Sequence, residues 1–276
     1  MSRSTSIKSV FVVFVLLLSS VAAAQDYRIL VTNDDGIESK LLLALVLELR
    51  KIADVSVSAP RLNQSGASQA STSGALQVEE ISSNGTLFGY GVTGTPTDAV
   101  RYGLRVLGAD KPFDLVVSGI NLGANVGKVS HMSGTVGAAM QAVYLGVPAI
   151  AVSQDTSNVD TTVTARLVSD LVKRYQQHGA PQGTVISINV PGGELKGVVM
   201  RPMGDSYLAD SHYALTSNSE GALTYERSRA IARSEDNRTD TWAYQNGYAT
   251  LTPLRLDWTD YELLAEMLSW ELQLAE

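Results

Sequence analysis

Two short apolar runs, Ile29–Val31 and Leu115–Val117, each lead almost at once into a polar loop that carries a glycine. The first loop reads Asn33-Asp34-Asp35-Gly36, and the second reads Ser118-Gly119-Ile120-Asn121. Set side by side as parallel strands, the runs send both loops from the carboxyl edge of one sheet, where open α/β folds bind ligands. A third segment, Ser133-Gly134-Thr135-Val136-Gly137, opens a stretch of small residues that suits a helix. Meeting in one crevice, the three segments would offer carboxylates, amides, hydroxyls and backbone N–H groups. That donor set suits a hard divalent cation and a phosphate, and suits little else.

The order of elements along the chain supports this placement. Residues 28–33 read as a first strand, 40–52 as a leucine-rich helix that Ser39 can cap, and 55–59 as a second strand ended by Pro60. Strand, helix and strand within that span make a βαβ unit, whose crossover is expected to be right-handed. A polar loop follows over 61–74, then strand-like pieces at 75–79 and 86–90, a helix over 97–107 and a strand over 114–118. Residues 119–134 form a glycine-rich loop with almost no hydrophobic anchor. Beyond it a helix over 136–145, a strand over 148–153, a helix over 159–177 and a strand over 184–190 continue the alternation. From Gly204 to Tyr248 the chain turns polar, as hairpins or an extension would be, before a strand at 248–253 and an amphipathic helix over 261–274. The expected fold class is α/β, with a mainly parallel sheet, helices on both faces and a hairpin-rich extension.

The first residues are expected to lie outside that fold. Arg3 and Lys8 precede the apolar run Val10–Leu18, and Ala22-Ala23-Ala24 closes the segment. This is the pattern of a signal peptide over 1–24, cleaved before Gln25; the run is too short for a bilayer span of roughly 20 residues. The expected destination is the periplasm or the exterior, with no membrane attachment after cleavage. Loss of Arg3 and Lys8 takes the formal charge from −7 to −9. An acidic surface argues against binding nucleic-acid polymers or anionic membranes. The chain has no cysteine, so disulfides, thiol catalysis and thiolate metal sites are excluded.

Each candidate residue also has an ordinary role. Asp34-Asp35-Gly36 has the composition of a simple turn, but two carboxylates crowded at a strand end repel each other unless a cation sits between them. Asn121 has the turn role too, with Gly119, Gly123 and Gly127 bringing backbone close to whatever fills the crevice. Asn125 can donate a side-chain hydrogen bond to an anion. Ser133-Gly134-Thr135 serves equally as a helix N-cap or as an anion cradle at the positive end of a helix. Gly89-Tyr90-Gly91-Val92-Thr93-Gly94 matches the dinucleotide fingerprint, yet Thr95-Pro96 delays the following helix and Asp114 stands at the start of a strand. His131, His178 and His212 are scattered and form no zinc-type pair. His131, two residues before Ser133, has two readings: an acid near a leaving group, or, as is more common for a lone loop histidine, an incidental residue.

Taken together, these segments resemble the SurE family of survival-protein nucleotidases, divalent-metal-dependent phosphomonoesterases. The resemblance runs from Tyr27 to about Thr259. It rests on Asn33-Asp34-Asp35-Gly36, Ala59-Pro60, Ser65-Gly66-Ala67-Ser68, Gly94-Thr95-Pro96-Thr97-Asp98, Ser118 to Asn121 with Gly123 and Asn125, and Ser133 to Ala139. It implies a Rossmann-like catalytic domain over 25–203, an oligomerisation extension over 204–247, and a returning strand and helix over 248–276. It places metal ligands at Asp34, Asp35, Ser65 and Asn121, for Mn²⁺, Mg²⁺ or Co²⁺. It supports Asn125, Ser133, Gly134 and Thr135 as the phosphate-binding set, with Asp34 and Asp35 catalytic. The chain departs from the family at Ile37 to Leu41, at Arg61-Leu62-Asn63 and at Gln141, where a glutamate is usual; these positions bear on substrate range.

The expected protein is thus an exported phosphatase acting on nucleoside monophosphates of the 5′ or 3′ type, as a homodimer or homotetramer. Covalent attack by Asp34 and attack by water both remain open. The alternative is a secreted phosphate- or nucleotide-binding protein without turnover, and an oxidoreductase is a more distant rival.

Overall fold

The computed structural model describes residues 27–219 and 221–270, so the expected signal peptide lies outside the described residues. The first strand, β1 (Arg28–Thr32), is buried along its whole length. Side-chain alternation sends Ile29 and Val31 into one apolar cluster and Leu30 into another on the opposite face. This is why the run carries no polar alternation: a central strand has no solvent face.

Around it forms a nine-stranded sheet in the order β3-β4-β2-β1-β5-β6-β7-β11-β8. Its members are β2 (Asp54–Pro60), β3 (Val78–Ser83), β4 (Thr86–Val92), β5 (Leu115–Leu122), β6 (Ala149–Gln154), β7 (Val185–Val190), β8 (Gly197–Met200) and β11 (Tyr248–Leu254). From β4 to β7 every neighbouring pair is parallel. β3 is antiparallel at one edge, and β11, antiparallel to β7, carries β8 at the other.

Helices cover both faces. α1 (Lys40–Leu49) and α4 (Thr161–His178) enclose the cluster that contains Ile29, Val31, Leu42 and Val168. α2 (Pro96–Tyr102), continued by a turn of π-helix at Gly103–Leu107, and α3 (Gly134–Tyr144) enclose Leu30, Val100, Val116 and Ala139. The chain moves outward from β1 to β2 and β4, then returns to place β5 on the other side of β1. The sheet therefore reverses its winding between β1 and β5, and a crevice opens there at the carboxyl edge.

Several local expectations change in the structure. β5 does not stop at Ser118; it runs through an irregularity and pairs Asn121 with Ser153 of β6. Gly119 permits this, because its φ is +135° and a Cβ there would lie 2.2 Å from the Val152 carbonyl oxygen. The segment after it is anchored rather than loose: Ile120, Ala124 and Val126 are buried, and Gly127–Met132 is a 3-10 helix. The G-x-G-x-x-G match lies mostly inside β4, so no strand-to-helix turn cradles a pyrophosphate there.

The polar stretch after Gly204 divides in two. β9 (Leu208–Ser219) and β10 (Ala222–Ile231) form a separate antiparallel sheet, with every residue of β10 exposed. In contrast, the short α5 (Asp240–Gln245) packs into the body and buries Asp240, Thr241, Ala243 and Tyr244. Tyr207 and Tyr244, which lie in the stretch expected to serve oligomerisation, pack against each other with ring centroids 5.8 Å apart and join Ala124 and Val126 in a small core of the same chain. A final helix, α6 (Tyr261–Met267), buries none of its residues.

Candidate active site

The three segments singled out above do converge. Asp34, just beyond β1, is only 3% exposed. Its Oδ1 accepts a 2.5 Å hydrogen bond from the Thr135 hydroxyl at the start of α3. Gly134 makes this approach possible, since a Cβ there would lie 2.8 Å from Asp34 Cβ and 2.9 Å from Oδ2. Ser133 takes the N-cap role, its Oγ accepting from the Val136 amide at 3.1 Å. The two hydroxyls flanking Gly134 are therefore not equivalent: one caps the helix and the other grips Asp34.

Asp35 is held from the second loop. Its Oδ2 accepts from the Leu122 amide at 3.1 Å, which brings it beside Asn121. The Asn121 amide nitrogen donates back to the Gly123 carbonyl at 2.5 Å, directing the nitrogen inward and leaving the side-chain oxygen for other partners. Ser65 enters through a fourth loop. The Gln64 amide donates to the Asp34 carbonyl at 2.7 Å, and Asn63 links Asp35 to Ser65, donating to Asp35 Oδ1 at 3.4 Å and accepting from the Ser65 amide at 2.9 Å. Asn125 is buried at the edge of the same region. Its backbone amide donates to Asn189 at 2.7 Å and its side-chain amide to Ser153 at 2.9 Å, so it is braced by β6 and β7.

The electrostatics are those of crowded, desolvated acids. Burial pushes the Asp34 carboxyl up to about 6; the Thr135 hydrogen bond opposes the rise and the Asp35 charge adds to it. Burial raises Asp35 as well, against the Leu122 amide that lowers it. Both shifts come chiefly from the burial of a charged group. The N-terminus of α3 supplies part of the remedy through its dipole. Two further oxygens close by, Asn33 Oδ1 and Ser118 Oγ, are buried with no hydrogen-bond partner among the described residues. Acidic, amide and hydroxyl oxygens are the donor chemistry that a hard divalent cation takes.

Some residues that build the site escaped the sequence reading. Asn63 bridges two candidate ligands, and Asn189 orients Asn125. Asp240 accepts from the Gly127 and Gly204 amides at 3.1 and 2.7 Å, pinning the loop that carries Asn125. Asn189 and Asp240 did leave a signal. A polar residue near the carboxyl end of an otherwise apolar strand, and an acid in a short buried helix, each need a partner when buried.

Comparison with known proteins bears on this arrangement. Residues 29–210 match the family model described as survival protein SurE. The 5'-nucleotidase SurE of Syntrophobacter fumaroxidans is 36% identical over 251 residues, which covers 89% of this chain and all of that protein. The 5'-nucleotidase SurE 1 of Thermus thermophilus is 38% identical over 244 residues, 86% of this chain and 95% of its own. Among solved structures, the SurE protein of Aquifex aeolicus superposes with a TM-score of 0.77 at 33% identity, covering 89% of this chain and all of that one.

Proposed function

The chain belongs to the SurE family, and on that premise we propose that it is a hydrolase of phosphoric monoesters acting on nucleoside monophosphates at the β1/β5 crevice. The observation that carries the reading is the convergence of three segments on two adjacent acids, Asp34 bonded to Thr135 at the start of α3 and Asp35 to the Leu122 amide at the end of β5.

In this proposal Asp34, Asp35, Ser65 and Asn121 hold a divalent cation, with Mn²⁺, Mg²⁺ and Co²⁺ as candidates. Such an ion polarises a phosphoryl oxygen and offsets charge during transfer. The remaining chemistry belongs to the chain. The amides at the start of α3 and the Asn125 side chain orient the phosphate, while Thr135 fixes the Asp34 carboxylate. Burial keeps bulk water from competing around these groups. His131 stands exposed two residues before Ser133, within the loop that a leaving group would pass.

Export is part of the same proposal, supported by the pattern of residues 1–24 alone. Sequencing the amino terminus of protein recovered outside the cytoplasm tests it: Gln25 as first residue is expected, and an intact Met1 overturns it.

The functional test is a panel of 5′ and 3′ nucleoside monophosphates, run with and without EDTA. Phosphate release that stops on chelation and returns with Mn²⁺, Mg²⁺ or Co²⁺ is expected, and Asp35→Asn should abolish most of it because a charged ligand is lost. Nucleotide binding by equilibrium dialysis with no release under any metal would establish the binding-protein alternative instead. Full activity after exhaustive chelation would remove the metal from the reaction.

A further inference from the structure

The polar stretch that carries the β9–β10 hairpin leaves the body at Gly204 and returns at Asp240, and both of its ends close on one short loop, Ala124 to Lys128. Gly127 shows how tight the junction is. Its φ is +63°, and a Cβ there would lie 2.2 Å from the Asp205 carbonyl oxygen and 2.4 Å from the Thr241 hydroxyl. Thr241 donates to that same Asp205 carbonyl at 2.6 Å, which ties the outgoing segment to the returning one. The Ala232 amide donates to the Tyr207 carbonyl at 2.8 Å and closes the root of the hairpin. Lys128 and Asp205 also pair at 2.7 Å, but both side chains are well exposed and the pair adds little.

One contact in this junction falls on the residue assigned to the phosphate. The Tyr207 hydroxyl donates to the Ala124 carbonyl at 3.0 Å, across 83 positions of sequence. The Asn125 amide is the other half of the same peptide group, and it donates to Asn189 Oδ1 at 2.7 Å. A trans peptide is planar, with its C=O and N–H pointing opposite ways, so partners on its two edges fix the plane. That plane sets the direction in which the Asn125 side chain leaves the backbone. The side-chain nitrogen then donates to the Ser153 hydroxyl at 2.9 Å. It carries two protons, and the second is the donor available to a phosphate. Burial raises the Tyr207 phenol above its ordinary value and the Asp155 charge adds to the rise, so the hydroxyl stays a donor.

We infer that Tyr207 is a positioning residue for the phosphate site: its hydroxyl fixes the Ala124–Asn125 peptide and so aims the Asn125 side chain, which makes the root of the hairpin a working part of that site. The inference rests on the phosphatase reading for its assignment of Asn125 to the phosphate. Tyr207 acts through Asn125 and does not itself touch the substrate. Its loss therefore weakens the hold on phosphate and leaves the acids at the end of β1 as they are.

The test compares wild type, Tyr207→Phe, Asn125→Ala and the double variant in the full mature chain. Tyr244→Phe serves as the control, since it removes a neighbouring hydroxyl that is bonded to Asp155 and not to the loop. KM and kcat are measured on AMP, and the Kd of inorganic phosphate is measured by calorimetry with Mn²⁺ present, which needs no turnover. Tyr207→Phe should raise KM and the phosphate Kd together by about fivefold, the effect of one lost hydrogen bond, with kcat nearly unchanged. Tyr244→Phe should move neither constant. In the Asn125→Ala background Tyr207→Phe should add nothing, because no side chain is left to aim. A lower melting temperature with KM and Kd unchanged is the pattern of a merely structural residue, and it overturns the inference. So does a loss that persists in full in the Asn125→Ala background. Should Tyr207→Phe fail to fold, Asn189→Ala releases the same peptide from its other edge, and unchanged constants there overturn the inference equally. Weaker phosphate binding by Tyr207→Phe in a chain that hydrolyses no nucleotide supports the positioning role and defeats the phosphatase reading. Hydrolysis that is indifferent to Tyr207→Phe does the reverse, and a wild type that neither binds phosphate nor hydrolyses AMP defeats both.

Discussion

Ser133 and Thr135 stand two positions apart at one helix end, and the structure gives them different partners. Ser133 Oγ closes the N-cap, so Ser133→Ala should lower stability by about 1 kcal/mol and leave the kinetics nearly unchanged. Thr135 donates to the carboxylate of Asp34, so Thr135→Ala should lower activity on the order of ten- to a hundredfold, as loss of a partner behind a ligand usually does. Thr135→Ser keeps the hydroxyl and should retain most of the activity. Urea denaturation alongside steady-state kinetics separates these effects. Identical kinetic losses in Ser133→Ala and Thr135→Ala would show that only the helix end matters. Sequence treated Ser133-Gly134-Thr135 as one undivided set, because spacing does not reveal which hydroxyl turns back onto its own helix.

At the scale of elements, α2 shows how a local motif is recruited for tertiary contact. Thr95 and Asp98 form a reciprocal capping box behind Pro96. Asp98 also accepts from the Thr72 amide, at 3.0 and 3.2 Å to its two oxygens, and so fastens the polar loop over 61–74 to the helix start. Burial works to raise the Asp98 carboxyl, but the Thr95 and Thr72 donors outweigh it and hold the group below the usual carboxylate range. A depressed folded pKa means that the stabilisation is complete above the unfolded value of about 3.9 and is lost as pH falls through the folded one. Asp98→Ala should therefore cost about 1 kcal/mol at neutral pH, and its difference from wild type should shrink below about pH 4. Denaturation midpoints measured between neutrality and acid check this; a difference independent of pH would mean that the charge plays no part.

For the whole molecule, the unresolved burial lies in the projecting parts. The β9–β10 hairpin pairs only with itself in the sheet topology, and it exposes Tyr213 and Tyr225 at 61% and 52%. With Tyr207 and Tyr244 already used inside the chain, these two tyrosines, together with the exposed Leu215, Leu223 and Ile231 of the same hairpin, are available to meet another subunit. We expect at least a dimer at micromolar concentration by light scattering. Deleting 208–231 should reduce its mass while leaving the body folded, since Tyr207, whose hydroxyl donates to the Ala124 carbonyl, lies outside the hairpin. A monomeric and fully active wild type would assign the hairpin to a role within one chain. The sequence by itself determined the alternating elements, the strand-end position of Asp34 and Asp35 and the parallel character of the sheet, because each follows from apolar periodicity and from where the polar runs begin. Its likeness to a family is what singles out Ser65 as a candidate ligand, since no local pattern marks it. Only the tertiary structure decided that Asn63 bridges Asp35 and Ser65, that Asn189 and Asp240 brace the Asn125 loop, and that Trp258 returns to His131. Those contacts join residues as far as 127 positions apart, and their partners are fixed by how the sheet brings its edges and tail together, a distance over which a residue's neighbours in sequence exert no preference.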